Sequence, residues 1–133
     1  MIQQELIVFD GGTIIDGKHD SPIQNKSLII EGGIINAIVD RNEMSKWAHK
    51  ADRIYDLSGH SILPGFIDTH THIQLSGKQP EIRLFKESVP KKTLRAAHNA
   101  RKTIEAGFTT IRDLGAEYLI DLGVRDAISY LCA

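Results

Sequence analysis

The sequence predicts an α/β protein in which a small N-terminal antiparallel β unit precedes two β-strand–α-helix units. Residues 1–62 contain short β-branched runs separated by turn residues. After Pro64 the pattern changes to an alternation of strand-like and helix-like segments. The 133 residues are the length of one domain. Because the pattern changes near Pro64, we expect a small β segment over 1–62 and a second, α/β segment over 63–133.

Short strands and tight turns fill the first segment. The runs ELIVFDGGTIIDG and SLIIEGGIINAIVD each place β-branched residues on both sides of a glycine pair, Gly11-Gly12 and Gly32-Gly33. The second run has the pattern of a hairpin. RNEMSKWAHKADR interrupts the strands and predicts a short helix, with Trp47 covering the small β core. IYDLSGHSILPG then returns to strand and turn.

The second segment alternates strand and helix. FIDTHTHIQL predicts a strand, EIRLFKES a short helix, PKKTLRAAHNARKTIEAG a long helix and FTTIRDLG a second strand. YLIDLGVRDAISYLCA begins another helix. This order is typical of a parallel α/β sheet with right-handed crossovers. Two parallel strands are too few to close a barrel or to bury both of their faces.

The long helix has recognisable ends. Ser88 is a suitable N-cap, Pro90 suits the first turn, and Gly107 suits the position after the last turn. Its spacing predicts one packed face, formed by Leu94, Ala97, the stem of Arg101, and Ile104.

Composition excludes several classes of partner. The chain is 41% hydrophobic and 25% charged, and 16 basic residues against 17 acidic ones leave a net charge of −1. With no extended charge run, neither nucleic acid nor a membrane surface is an expected partner. The one cysteine, Cys132, excludes an intramolecular disulfide and fits a reducing compartment. No apolar run approaches the roughly 18 residues of a membrane helix, so we expect a cytoplasmic protein.

The stretch LPGFIDTHTHIQL, residues 63–75, carries the chemistry. Its strand pattern places Asp68, His70 and His72 at every second position, and therefore on one face. Two neutral imidazoles on one face can bind the same cation. The alternative is an incidental His-x-His pair that is solvated or hydrogen-bonded in a core. Three aligned polar side chains are costly to bury without partners, and a cation would offset that cost.

These residues resemble a known family. LPGFIDTHTH is similar to the Pro-Gly-x-x-Asp-x-His-x-His signature that opens the catalytic barrel of the amidohydrolase superfamily. The preceding β unit resembles the N-terminal segment of that superfamily, and AGFTTIRDLG resembles the second barrel strand of its imidazolonepropionase-like and prolidase-like members. The resemblance implies the opening of a TIM-like (β/α)8 barrel after a small composite β domain.

The resemblance also implies roles for individual residues. His70 and His72 match two metal ligands, and Asp68 matches the preceding acidic residue, which orients a ligand or lies beside the metal. Arg112 and Asp113 match the end of the second strand, where substrate binds in such barrels. An Arg-Asp pair that fixes the loop is the alternative for these two. The implied cofactor is one or two divalent cations, with zinc first, although imidazole also accepts manganese, nickel and iron.

The resemblance extends only to the start of the family's pattern. Family members add a Lys or Glu, two further His and a final Asp from later strands, and a full barrel takes about 250 residues. We expect this chain to be the N-terminal third of a hydrolase. Its metal-activated water would attack the carbonyl carbon of a small molecule and so cleave an amide, lactam or peptide-like carbon–nitrogen bond. The chain would be a truncated product, a shortened form or one piece of a split protein, inactive alone and completed by a C-terminal fragment. The alternatives are a non-catalytic remnant that forms homo-oligomers through unpaired sheet edges, and a small β binding module.

Overall fold

The computed structural model describes residues 4–77 and 86–131. Within it the chain forms two compact units, Met1–Pro64 and Gly65–Ala133. The expected short helix in EIRLFKES falls largely on residues 81–85, and Cys132 is near the C-terminus. Both lie outside the described residues.

The first unit is built mainly from strands. They are β1 (Leu6–Asp10), β2 (Thr13–Ile14), β3 (Lys26–Glu31), β4 (Ile34–Asp40), β5 (Arg53–Asp56) and β6 (Ser61–Ile62). Four of them form a sheet in the order β4-β3-β1-β5, and β2 pairs with β6. A 3-10 turn (Arg41–Glu43) and the short helix α1 (Ser45–Ala48) lie between β4 and β5.

The predicted hairpin is confirmed. β3 and β4 pair antiparallel, and Gly32 and Gly33 between them have φ values of +58° and +79°. Positive φ at both central residues is the requirement of the hairpin turn that suits twisted strands, and glycine meets it at little steric cost.

The expected antiparallel pairing holds for β1, β3 and β4 but not for β2, β5 and β6. β1 pairs antiparallel with β3, but β5 lies parallel to β1 on the other side, and β2 and β6 are also parallel. The physical reason is the connection: the segment containing α1 carries the chain back before β5 begins, and such a return produces a parallel neighbour. The four-stranded sheet is therefore mixed, and the β2–β6 pair is parallel.

The core of the first unit lies against α1. Leu6, Val8 and Ile29 are buried, and Trp47 packs against them as predicted. One carboxylate, that of Asp10, is also buried. It accepts a 2.6 Å hydrogen bond from the Ser27 hydroxyl.

The second unit is a strand-helix-strand-helix arrangement. It contains β7 (Phe66–Thr71), α2 (Val89–Glu105), β8 (Phe108–Asp113), a 3-10 turn (Glu117–Leu119) and α3 (Ile120–Leu131). β7 and β8 are parallel, as predicted. The buried core comprises Ile73, Ala96, Ile120 and Val124.

Helix α2 has the predicted ends but a different packed face. Ser88 is extended and precedes the helix, although its side chain makes no capping hydrogen bond. Gly107 follows with φ +90°. Lys92 and Ala96 are buried, whereas Leu94 and Ile104 are exposed. The small side chain of Ala96 permits close packing, and the Lys92 ammonium pairs with Glu117, which explains how a charged residue occupies the buried face.

Among the described residues, none of the helices combines the length and the apolar character that crossing a membrane requires.

Candidate metal centre

The two histidines of the motif lie together at the carboxyl end of β7. His70 is within the strand and His72 follows its last residue. Their ring centroids are 5.5 Å apart, with an angle of 77° between the ring planes. Both side chains are exposed, so an ion could reach them from solvent. The structure thus brings together the two residues that the sequence predicted as metal ligands.

A hydrogen bond selects which nitrogen of His72 is available. Its Nδ1 lies 3.1 Å from the carbonyl oxygen of Gly115. A carbonyl oxygen only accepts, so Nδ1 carries the proton and donates it. In the neutral ring the lone pair is then on Nε2. Metal-bound histidines generally donate the other ring N–H to such a partner, which fixes the tautomer and the ring orientation.

The spacing of the two rings suits a shared cation. With Zn–N distances of about 2.0–2.1 Å, two imidazoles on one tetrahedral ion have centroids roughly 5 Å apart. The observed 5.5 Å is close to that separation. The residues present therefore fit two positions of a metal site.

A third ligand is not assembled within the described residues. Neither 4–77 nor 86–131 contains a group of three His, Cys, Asp or Glu side chains placed to hold an ion. A catalytic zinc usually has three protein ligands. The described part of the chain therefore brings together two candidate ligands, His70 and His72, and no third one.

The predicted alignment of Asp68 with the two histidines needs correction. Asp68 pairs in register with Ile111, and Ile111 packs against the buried core of the second unit. Its side chain also lines a shallow pocket with residues of α2, including Asn99 and Lys102. The register shifts between Asp68 and Thr71, and such an irregularity breaks the alternation on which the prediction depended. The Asp68 carboxylate instead accepts the backbone N–H of His70 at 3.0 Å.

Arg112 and Asp113 end β8 beside the histidines. The Arg112 Nε donates to the backbone carbonyl of Thr69 at 3.0 Å. The carboxylate of Asp113 accepts two backbone N–H groups, from Ile73 at 2.8 Å and from Gly115 at 2.9 Å. The two side chains thus hold both strand ends.

The carbonyl of Gly115 is a contact of the site that the sequence does not indicate. Its contact with His72 spans 43 residues, so no local pattern indicates it. The Asp-Leu-Gly run at 113–115 offers a partial signal, because Asp often accepts the backbone N–H two residues on and thereby forms a turn. That pattern predicts the Asp113–Gly115 bond but not the histidine that uses the Gly115 carbonyl.

The chain matches known proteins over most of its length. Residues 61–131 match the model of the amidohydrolase family. An imidazolonepropionase from Clostridium tetani is 35% identical over 74 residues, which are 55% of this chain and 18% of that protein. A Xaa-Pro dipeptidase structure with methionine in its active site has a TM-score of 0.77 and 28% identity, covering 94% of this chain and 30% of the other. The structure of molinate hydrolase has a TM-score of 0.80 and 25% identity, covering 100% of this chain and 29% of the other. The chain thus spans less than a third of each of these three relatives.

Proposed function

The chain belongs to the amidohydrolase family, and on that premise we propose that it is the N-terminal part of a metal-dependent hydrolase acting on a carbon–nitrogen bond. The observation that carries the proposal is the pair of imidazoles at the end of β7, 5.5 Å apart. The relatives named imidazolonepropionase and Xaa-Pro dipeptidase suggest a small substrate with an amide, lactam or peptide-like bond.

We assign the two units to the two parts of such an enzyme. Residues 1–62 are a segment of the small β domain, and 63–133 are the opening of a (β/α)8 barrel. In this arrangement β7 and β8 are the first two barrel strands. Active sites of these barrels lie at the carboxyl ends of the strands, where His70, His72 and Arg112 are found.

His70 and His72 would hold a divalent cation, with zinc as the first candidate. When bound, such a cation lowers the pKa of its water and polarises a carbonyl. The Nδ1–H of His72 is held by Gly115, which leaves its Nε2 for the ion. Asp68 accepts the backbone N–H of His70 and so orients the strand that bears this ligand.

Arg112 is the proposed substrate contact of this segment. Its side chain is exposed at the strand end. Its Nε is used by Thr69, and a guanidinium has further N–H donors for an acidic or carbonyl group. The sequence predicts the same role for Asp113. Its two oxygens accept backbone amides, so its contribution to the substrate mouth comes through the loops that it holds.

A zinc titration by calorimetry tests the proposal. Each of His70→Ala and His72→Ala should weaken the affinity of the chain by at least about tenfold, since even indirect ligand partners have effects of about 10- to 100-fold. His98→Ala is the matched control, because His98 is exposed on α2 and should not affect the titration. Equal affinities for all four proteins would exclude the metal site.

The chain alone should not hydrolyse a substrate. Two imidazoles lack the remaining ligands and the general base that a metal hydrolase requires. We expect amide or lactam hydrolysis only with a complementing C-terminal fragment. The absence of activity in that reconstituted protein, with zinc bound, would contradict the hydrolase proposal. We also propose a cytoplasmic location, because a chain with a single cysteine fits a reducing compartment.

A non-catalytic role is the second candidate, and one observation favours it. Phe66 and Ile67 of β7 are 50% and 65% exposed, and in the described chain β7 pairs with β8 alone. Unpaired edges with exposed apolar residues promote association. Sedimentation velocity separates the two candidates: a concentration-dependent oligomer that binds no zinc favours the remnant, whereas a zinc-binding monomer favours the hydrolase fragment.

A further inference from the structure

We propose that Asp113 is a positioning residue for His72, acting through the backbone of Gly115. The inference rests on the proposed function for its purpose, because a metal ligand needs its Nε2 kept free. It assigns Asp113 neither to the substrate nor to the ion. The effect of Asp113 would be to select one tautomer and one ring orientation of His72.

The contacts of Asp113 connect two loops. One carboxylate oxygen accepts the N–H of Ile73, in the loop after β7, at 2.8 Å. The other accepts the N–H of Gly115, in the loop after β8, at 2.9 Å. These amides are 42 residues apart in the sequence, and one rigid side chain brings them together. Hydrogen bonds to an ionised carboxylate are stronger than those between neutral groups.

The same loops carry His72 and its partner. His72 directly precedes Ile73, and the Gly115 carbonyl accepts its Nδ1–H at 3.1 Å. The backbone N–H of Leu114 also donates to the Thr71 carbonyl at 3.0 Å. Asp113 therefore fixes the residues on both sides of the His72–Gly115 bond. If this clamp is loosened, the carbonyl and the ring can separate.

Replacement of Asp113 should release the ring. Asn in this position keeps one oxygen acceptor but substitutes an NH₂ donor for the other, so it can serve only one of the two amides. Without the fixed carbonyl, neither tautomer of an exposed imidazole is held in place. The tautomer ratio of His72 in Asp113→Asn should then approach that of His98, which is exposed and makes no ring hydrogen bond to a described residue.

The test is nitrogen-15 NMR of the metal-free chain at about pH 8.5, where an ordinary imidazole is neutral. We expect His72 to carry its proton mainly on Nδ1 in the wild type and to lose this preference in Asp113→Asn. Asp126→Asn is the matched control, because Asp126 pairs with its neighbour Arg125 on α3. It should leave His72 unchanged. Backbone amide spectra show whether each variant is folded.

Two results would overturn the inference. One is a wild-type His72 protonated mainly on Nε2. The other is a folded Asp113→Asn variant whose His72 keeps the wild-type ratio. Asp113→Glu, which keeps the charge but displaces it by one methylene, replaces Asp113→Asn if the latter does not fold, and it should also reduce the Nδ1 preference.

A zinc titration then links positioning to binding. Asp113→Asn should weaken the affinity by about tenfold or more, and this loss should disappear in a His72→Ala background but persist in a His70→Ala background. An equal loss in both backgrounds contradicts action through His72. If the wild type shows the Nδ1 tautomer but binds no zinc, the proposed function fails while the positioning role of Asp113 stands.

Discussion

The first strands of the two units, β1 and β7, differ in how they use their side chains. β1 is paired on both sides, by β3 and β5, and its alternate residues, including the fully buried Val8, enter the core. In the described chain β7 is paired on one side, and Phe66 and Ile67 remain exposed. β1 therefore contributes mainly to stability. β7 displays histidines at its end and leaves apolar side chains that a larger protein would cover.

The buried Asp10 and the partly buried Asp113 show the same contrast. Asp10 in the first unit is buried and accepts hydrogen bonds from Ser27 and Arg41 side chains. Asp113 in the second unit holds two backbone amides next to the histidine pair. Both carboxylates are satisfied, as buried or partly buried charges must be. Only the second one lies beside groups that are able to bind an ion.

The largest expected effect comes from a matched pair of isoleucines. Ile29 is 0% exposed and faces Val8 across the sheet, so Ile29→Ala should lower the free energy of unfolding of the first unit by about 2–5 kcal/mol. Ile67→Ala, at a site 65% exposed in the second unit, should change the free energy of unfolding of that unit by less than about 0.5 kcal/mol. Urea unfolding measures both. Similar losses at the two sites would contradict the contrast between β1 and β7.

A smaller effect is expected from the buried hydroxyl beside Asp10. Ser27 is fully buried and its Oγ donates to Asp10. Ser27→Ala leaves that carboxylate short of a donor and should cost about 1–3 kcal/mol. Ser61→Ala, at an exposed position of β6, is the control and should change stability by less than about 0.5 kcal/mol. The two variants are compared by urea unfolding, and equal midpoints would show that the Ser27–Asp10 bond contributes little.

The smallest effect is expected at Asp16, a partly exposed carboxylate of the first unit. Backbone N–H groups of Lys18 and His19, together with the His19 ring, lower the pKa of Asp16 from 3.8 to about 2. A lowered folded-state pKa means that the stabilisation is present above pH 3.8 and is lost as the pH falls through about 2. A carbonyl NMR titration should give a midpoint near 2. A midpoint near the ordinary value, or an unchanged acid unfolding curve in Asp16→Asn, would contradict this assignment.

Local sequence signals predicted much of the fold correctly. The Gly32-Gly33 turn, the ends of α2 at Ser88 and Gly107, and the packing of Trp47 all follow from near neighbours in the sequence. The predictions that the structure contradicts depend on contacts between residues far apart in the sequence. The parallel pairing of β5 with β1 depends on how the chain between these strands returns across the sheet. The packed face of α2 depends on the ion pair between Lys92 and Glu117.

In the candidate site, too, local patterns predicted some features, and contacts between distant residues determine the others. The spacing of His70 and His72 in a strand indicated that their rings would lie together, and the rings are 5.5 Å apart. The alternation rule failed at Asp68, because the register shifts between Asp68 and Thr71. The clamp formed by Asp113 with Ile73 and Gly115 connects loops about 40 residues apart, and only the folded chain shows it.

The central claim is that the imidazoles of His70 and His72, at the carboxyl end of β7, hold one metal ion. X-ray absorption of the zinc-loaded chain tests it most directly. We predict imidazole nitrogens at about 2.0–2.1 Å from zinc, with the imidazole signal reduced in His70→Ala and in His72→Ala and unchanged in His98→Ala. A spectrum without imidazole scattering, or one that is identical in all three variants, would contradict the claim.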